Sequence, residues 1–341
     1  MPVTQDAALR SALQELARGA SLSAEDAAAA FGVVMRGDAT PAQIAGLLIG
    51  LRSKGETAEE IAGAAVALRS AMVRLEVEDA GSLVDTCGTG GGKVGTLNLS
   101  TAAAFVVAGA GIGVAKHGNR SYTSRSGSAD VLEALGIDIE LAPDRAAEVL
   151  RRAGIVFLFA PAYHPAMRHV SQVRKELGVA TIMNVLGPLV NPAGVVRQVV
   201  GVADESRGRL VAGALQHLGA THAIVVHARV GMDEVSPSGV TDAWEVNGNV
   251  TVREIDPATH GLDCVGLDGL AGGTPAENAT RIEALLRGRG RAVERCAVIL
   301  NAATALYVSG RGWSLEESAV RARESLDTGA GADALARLRS G

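Results

Sequence analysis

Cysteine, aromatic residues, long apolar runs and any large excess of one charge are all scarce in this chain. The three cysteines, Cys87, Cys264 and Cys296, form no CxxC spacing. So odd and sparse a set excludes a disulfide framework and a cysteine zinc site, and it predicts a reducing, cytoplasmic setting. Aromatics make up 3% of the residues. Ala, Val, Leu and Gly must therefore fill the core, the mix expected of helices laid on a parallel sheet. The longest apolar run, Thr101 to Ala115, is too short and glycine-rich to cross a bilayer. The opening MPVTQDAALRSALQELARG carries both charge signs and no apolar centre, so no secretory leader is expected. Net charge is −5. A weakly acidic chain is not built to wrap nucleic acid, and any anionic substrate needs a local site.

The chain does have 48% hydrophobic residues and 42 glycines over 341 positions. That is enough for one large domain or two unequal ones, with glycines left over for special backbone or close ligand approach. The first eighty residues read as helices. Leu9, Leu13 and Leu16 share a face, Ser23 with Asp26 and Thr57 with Glu60 resemble capping boxes, and Thr40-Pro41 with Gln43 opens a helix ending at Gly55. After Gly81, strands at 83–86, 112–115, 155–159, 198–202 and 223–226 alternate with helices at 101–110, 129–135, 144–153 and 206–218. Asn247-Gly248 reads as a hairpin turn, and two or three helices close the chain from Pro275 to about Leu338. The fold class is α/β with a mostly parallel central sheet, beside a smaller helical domain. His164 to Leu186 interrupts the series as a polar helix ending in a stiff Gly187 to Pro192 crossing. The division expected is therefore a helical domain at 1–80, rejoined by about 164–195, and an α/β domain at 81–163 and 196–341.

The chemistry concentrates in a few short motifs. Gly88-Thr89-Gly90-Gly91-Gly92 follows a strand, either as a phosphate cradle of backbone N–H groups or as a flexible turn. Asn98-Leu99-Ser100-Thr101 opens a helix, as a plain cap or as an anion-facing N-terminus. Lys116 to Ser121 ends the next strand with cationic and amide side chains, either solvated or at a strand-end site. Ser126 to Asp130 cups phosphate or caps a helix. Asp233-Glu234, on a loop, is a surface pair or a holder of Mg²⁺ beside pyrophosphate. Arg174 is an exposed helix residue or a bidentate partner for a carboxylate.

Taken in order, Asp85–Gly91 (DTCGTGG), Asn98–Thr101 (NLST), Lys116–Ser121 (KHGNRS), Ser126–Asp130 (SGSAD) and Gly187–Pro192 (GPLVNP) resemble the anthranilate phosphoribosyltransferases of tryptophan biosynthesis. His164–Met167, Asp233-Glu234, Glu277–Ala279 and Leu300–Ala303 extend the resemblance over nearly the whole chain. It implies a magnesium-dependent pentosyltransferase that joins phosphoribosyl pyrophosphate (PRPP) to anthranilate, in the second committed step of that pathway. It implies PRPP contacts from Gly88, Gly91, Gly92, Thr96, Asn98, Leu99, Ser100 and Thr101, from Lys116, His117, Gly118, Asn119, Arg120, Ser121, Tyr122, Thr123 and Ser124, and from Ser128. It implies anthranilate contacts from Gly88, His117, Asn119 and Arg174. Two Mg²⁺ ions per subunit would lie near Ser100, Asp233 and Glu234, with Lys116 and the acidic pair acting electrostatically. A homodimer through the helical domain follows, with no nucleic-acid or membrane partner. A pyrimidine nucleoside phosphorylase-like enzyme and a non-catalytic nucleic-acid-binding relative are the alternatives. In two places the chain departs from the family pattern: Gly92 replaces the aspartate that usually ends the glycine loop, and Ala180 stands where an arginine is common.

Overall fold

The computed structural model describes residues 5–121, 125–262 and 266–341. Tyr122, Thr123, Ser124 and Cys264 therefore lie outside the described residues. Helices α1 (Gln5–Ala17), α2 (Ala24–Arg36), α3 (Pro41–Lys54) and α4 (Ala58–Ala71) open the chain. Ser23 accepts the Asp26 N–H, and Thr40 with Gln43 and Thr57 with Glu60 complete capping boxes. Each cap satisfies N–H groups that no helical carbonyl can reach, an effect of about 1 kcal/mol. Leu9 and Leu16 are buried on the shared face, with Leu13 packed partly buried against them.

Alternation then begins with β1 (Leu83–Gly88), α5 (Leu99–Gly109), β2 (Gly113–Gly118), α6 (Ser128–Ala134), α7 (Pro143–Ala153) and β3 (Ile155–Phe159). An interruption follows: α8 (Ala160–Tyr163), α9 (Arg168–Leu177) and α10 (Met183–Leu186). The single long helix expected over 164–186 is in fact broken, because Gly178 ends α9 in the left-handed conformation, φ 63°. The series resumes with β4 (Arg197–Gly201), α11 (Gly208–His217) and β5 (His222–Ala228), and the hairpin β6 (Thr241–Asn247) and β7 (Asn249–Ile255) turns at Gly248. Not two or three but four helices follow: α12 (Pro275–Leu286), α13 (Ala292–Tyr307), α14 (Leu315–Asp327) and α15 (Ala330–Arg339).

One seven-stranded sheet runs in the order β3-β2-β1-β4-β5-β6-β7. β1 to β5 pair in parallel, whereas β6 and β7 are antiparallel. Each face of the sheet carries its own core. On one, α5, α6, α7 and α12 to α15 pack around Phe105, Val114 and Val298. On the other, Phe31, Leu47 and Ile61 of the opening helices share a core with Val170, Met183 and Leu189 of the interruption and with Val200 and Val225 of the sheet. Arg69 donates to the Leu189 carbonyl at 2.8 Å, tying the opening helices to the interruption, and Arg207 pairs with Glu56 at 2.7 Å, tying the helical layer to the α/β layer.

Candidate active site

The chain winds one way from β1 to β2 and β3, and the other way from β4 to β5. Its switch point is between β1 and β4, where a crevice opens outside the carboxyl ends of the strands. Gly88 and Gly201 face each other there. Thr89 donates its N–H to the Gly201 carbonyl at 2.8 Å, and Lys93 donates to Gly231 at 3.0 Å. Gly90 and Gly91 turn the loop with φ 67° and 88°, a region that L side chains rarely enter. The Asp233 loop closes over them. A Cβ on Gly201 would lie 1.6 Å from the Asp233 carbonyl oxygen, so only glycine fits.

The second wall is the start of α5. Glu234 accepts the Thr96 hydroxyl at 2.6 Å and, at 3.4 Å, the Ser100 N–H. Asp233 and Glu234 are half-buried. Burial raises both carboxyls above their usual range, and for Glu234 the Asp233 charge adds to it. Two adjacent carboxylates that resist ionising together form a site whose charge a hard divalent cation would balance. Among the described residues no group of three or more His, Cys, Asp or Glu side chains is arranged to hold a metal ion. A cation here would therefore draw its remaining ligands from substrate phosphates and water, the habit of Mg²⁺. Asn301 fixes the pair from behind: its Oδ1 accepts the Val235 N–H at 3.0 Å, and its Nδ2 donates to the Val235 carbonyl at 2.9 Å. Leu99 and Thr101 are buried, and the Thr101 hydroxyl has no partner among the described residues.

Lys116 and His117 prove to be strand residues and buried, which removes the solvated alternative. The Lys116 ammonium donates to the Thr86 carbonyl and, at 3.2 Å, to the Ser100 hydroxyl. Burial lowers its pKa, and the charges of Asp85, Cys87 and Glu234 oppose that shift. Burial likewise raises Asp85 against the pull of Lys116. Asp85 accepts the His117 N–H at 3.2 Å and the Asn191 amide at 2.8 Å. Through Asn191 the Gly187–Pro192 crossing is therefore bonded directly under the site. His117 Nδ1 lies 3.2 Å from the Gly187 carbonyl, and its Nε2 lies 3.2 Å from Nε2 of His164. Burial, then His164, lowers His117 to about 3, and burial lowers His164 to about 4. Both imidazoles are neutral at pH 7.

Asn119 and Gly118 cap β2 at the crevice, and the Ser128 hydroxyl donates to the Asn119 carbonyl at 3.3 Å. Ser121 N–H donates to Asp130 at 3.2 Å. Arg120 turns to Glu133 and Asp130 and stacks over Phe159, so here it neutralises α6 carboxylates. Arg174 is half-buried on α9, next to buried Val173. His164, Asn191, Asn278 and Asn301 also shape the site. All four lie within the family-like motifs, yet none shows its part locally, because each bonds to a partner far away in the chain.

Residues 80–332 match the model of a glycosyl transferase family's a/b domain, and residues 10–72 match the family's helical bundle domain. The chain is 48% identical to an anthranilate phosphoribosyltransferase of Rubrobacter xylanophilus over 97% of this chain and 96% of that protein. It is 47% identical to one from a Bradyrhizobium strain over 97% of each. The crystal structure of the Thermus thermophilus anthranilate phosphoribosyltransferase superposes with a TM-score of 0.91 at 42% identity, covering 96% of this chain and 98% of that one. The Saccharomyces cerevisiae enzyme in complex with PRPP and Mg gives a TM-score of 0.89 at 29% identity, covering 98% and 97%.

Proposed function

We infer the reaction from one premise: this chain belongs to the anthranilate phosphoribosyltransferase family. It transfers the 5-phosphoribosyl group of PRPP to the amine of anthranilate and releases pyrophosphate, as a pentosyltransferase of tryptophan biosynthesis. The observation that carries the reading is the switch-point crevice, where a glycine loop, a helix N-terminus, a buried lysine and an acidic pair converge. Phosphate recognition falls to the Gly88–Gly92 loop, to Thr96 and Asn98–Thr101, and to Lys116–Ser124 with Ser128. Anthranilate falls to Gly88, His117, Asn119 and Arg174, the arginine taking the carboxylate in a bidentate contact.

When bound, two Mg²⁺ ions held by Asp233, Glu234 and Ser100 would neutralise the leaving pyrophosphate. The chain's own part is fixed charge and position. Lys116, pinned between the Thr86 carbonyl and the Ser100 hydroxyl, sets a positive charge where leaving-group charge develops. The loop amides add dipoles that need no reorganisation. The arylamine is neutral near pH 7 and attacks C1 of the ribose without a strong base, so positioning does most of the work. The neutral His117–His164 pair walls the site without adding charge.

The shared core of residues 31–61 and 170–189 supports a helical domain at 1–80 rejoined by 164–195, with the α/β domain at 81–163 and 196–341. A homodimer forms through that helical domain, and the enzyme works in the cytoplasm. Among the described residues no helix is long and apolar enough to cross a membrane. The test is the loss of anthranilate fluorescence on adding PRPP and Mg²⁺, run beside phosphorolysis of thymidine. Fluorescence is expected to fall only with both additions present. Thymidine cleavage with unchanged anthranilate would overturn the reading.

A further inference from the structure

Asn98 and Asn278 stand 180 residues apart in sequence, yet Nδ2 of Asn278 donates to Oδ1 of Asn98 at 2.9 Å. Asn278 is buried, at 1% exposure, in the first turns of α12. That helix is fixed by Pro275 and by the Thr274–Glu277 capping box. Oδ1 of Asn278 accepts the Gly273 N–H at 2.8 Å, which settles the orientation of its amide. The segment leading into α12 lies along 95–97. Leu97 N–H donates to Leu270 at 2.8 Å, and Gly272 N–H donates to Gly95 at 3.1 Å. A Cβ on Gly272 would meet the Thr96 carbonyl at 2.4 Å, so the approach is backbone to backbone.

This arrangement changes what Asn98 does. Asparagine before a helix ordinarily turns its oxygen onto the N–H of the second or third helical residue. Asn98 makes no such cap on α5. Its Oδ1 takes Asn278 and, at 3.2 Å, the Ser126 hydroxyl, while its Nδ2 donates to the Ser126 carbonyl at 3.0 Å. The Thr101 N–H turns back to the Asn98 carbonyl at 3.1 Å, and among the described residues the Ser100 N–H makes a long 3.4 Å contact to Glu234. Without a side-chain cap, the weakly held Ser100 N–H and the positive end of the helix dipole remain for an anion.

We propose that Asn278 is a positioning residue for phosphoribosyl transfer. By occupying the Asn98 amide it prevents Asn98 from capping its own helix and keeps the α5 N-terminus open to the phosphates of PRPP. The proposal rests on the reading of the crevice as a PRPP site. Calorimetric titration of PRPP with Mg²⁺, without anthranilate, separates the two claims. No binding to the unaltered protein overturns both. With binding present, Asn278→Ala should weaken it about tenfold, the factor for one hydrogen bond of about 1.4 kcal/mol. The Michaelis constant for anthranilate should stay within about twofold, well inside that factor. In an Asn98→Ala background, which has no competing cap, Asn278→Ala should change PRPP affinity no further. An equal loss in both backgrounds would show a general packing role and overturn the proposal. Should Asn278→Ala fail to fold, Asn278→Asp keeps the size and the acceptor for Gly273 and carries the same comparison.

Discussion

An added Cβ on Gly92 would lie 2.7 Å from Oδ1 of Asp233. An aspartate there, as the family commonly has, would bring a further carboxylate against the pair whose charges burial already opposes. Two effects compete. A carboxylate there would repel the pyrophosphate of PRPP and draw in or misplace Mg²⁺, while the lost glycine freedom would lower the ordering cost of the loop, of order 1 kcal/mol per residue fixed. Charge should dominate, since Mg²⁺ responds to local carboxylates. Side-by-side Mg²⁺ titrations of turnover should show the unaltered enzyme tolerating high Mg²⁺ better than Gly92→Asp. Superimposable curves would mean that the position has no electrostatic role. At this scale the sequence showed which residue types gather at strand ends. Not legible were Asn191 under Asp85 or Asn301 behind the acidic pair, because those bonds join segments that only the sheet order brings together.

The helices were legible where their caps are local. Thr40 with Gln43 and Thr57 with Glu60 bond within four residues, so the sequence contains both partners. The same logic holds for Thr274–Glu277 and Ser314–Glu317, which mark the starts of α12 and α14, whereas α13 and α15 begin at Arg291 and Gly329 without a side-chain cap of that kind. Strand ends were read short, since Lys116 and His117 look like loop residues until the buried Asp85 and His164 opposite them are known. Packing between elements was invisible in sequence, and Gly63 of α4 is the clearest case. A Cβ there would sit 2.2 Å from the Ala24 carbonyl and 2.8 Å from the Ala27 methyl. Helix propensity alone favours Gly63→Ala by about 1 kcal/mol. Overpacking between α2 and α4 should cost about 1–3 kcal/mol and win. The expected result is a lower melting temperature for Gly63→Ala; a higher one would mean that the two helices part without strain.

Across the whole molecule, stability should respond to the buried imidazoles. His117 and His164 hold folded pKa values of about 3 and about 4, below the usual 6.5. The unfolded chain therefore binds their protons first as pH falls. Their contribution is complete above about 6.5 and is lost as pH falls toward about 4 for His164 and about 3 for His117, by up to about 1.36 kcal/mol per pH unit for each proton. Asp85, Asp233 and Glu234 have raised values and act in the opposite sense, gaining stability as pH falls. The difference between the unaltered protein and His164→Asn isolates the imidazole part. Below pH 6.5 the variant should lose less melting temperature than the unaltered protein, and parallel curves would contradict the neutral-pair assignment.

In the proposed reaction the switch-point crevice couples pyrophosphate loss from PRPP to bond formation at the anthranilate amine, with Asp233 and Glu234 holding the metal. Mass spectrometry of the product alongside pyrophosphate release checks this coupling. The unaltered enzyme with PRPP, Mg²⁺ and anthranilate should give one pyrophosphate for each phosphoribosyl-anthranilate formed. Asp233→Asn with Glu234→Gln should fold normally and lose both products together. Pyrophosphate released without the adduct, or full turnover by the folded double variant at low Mg²⁺, would contradict the claim.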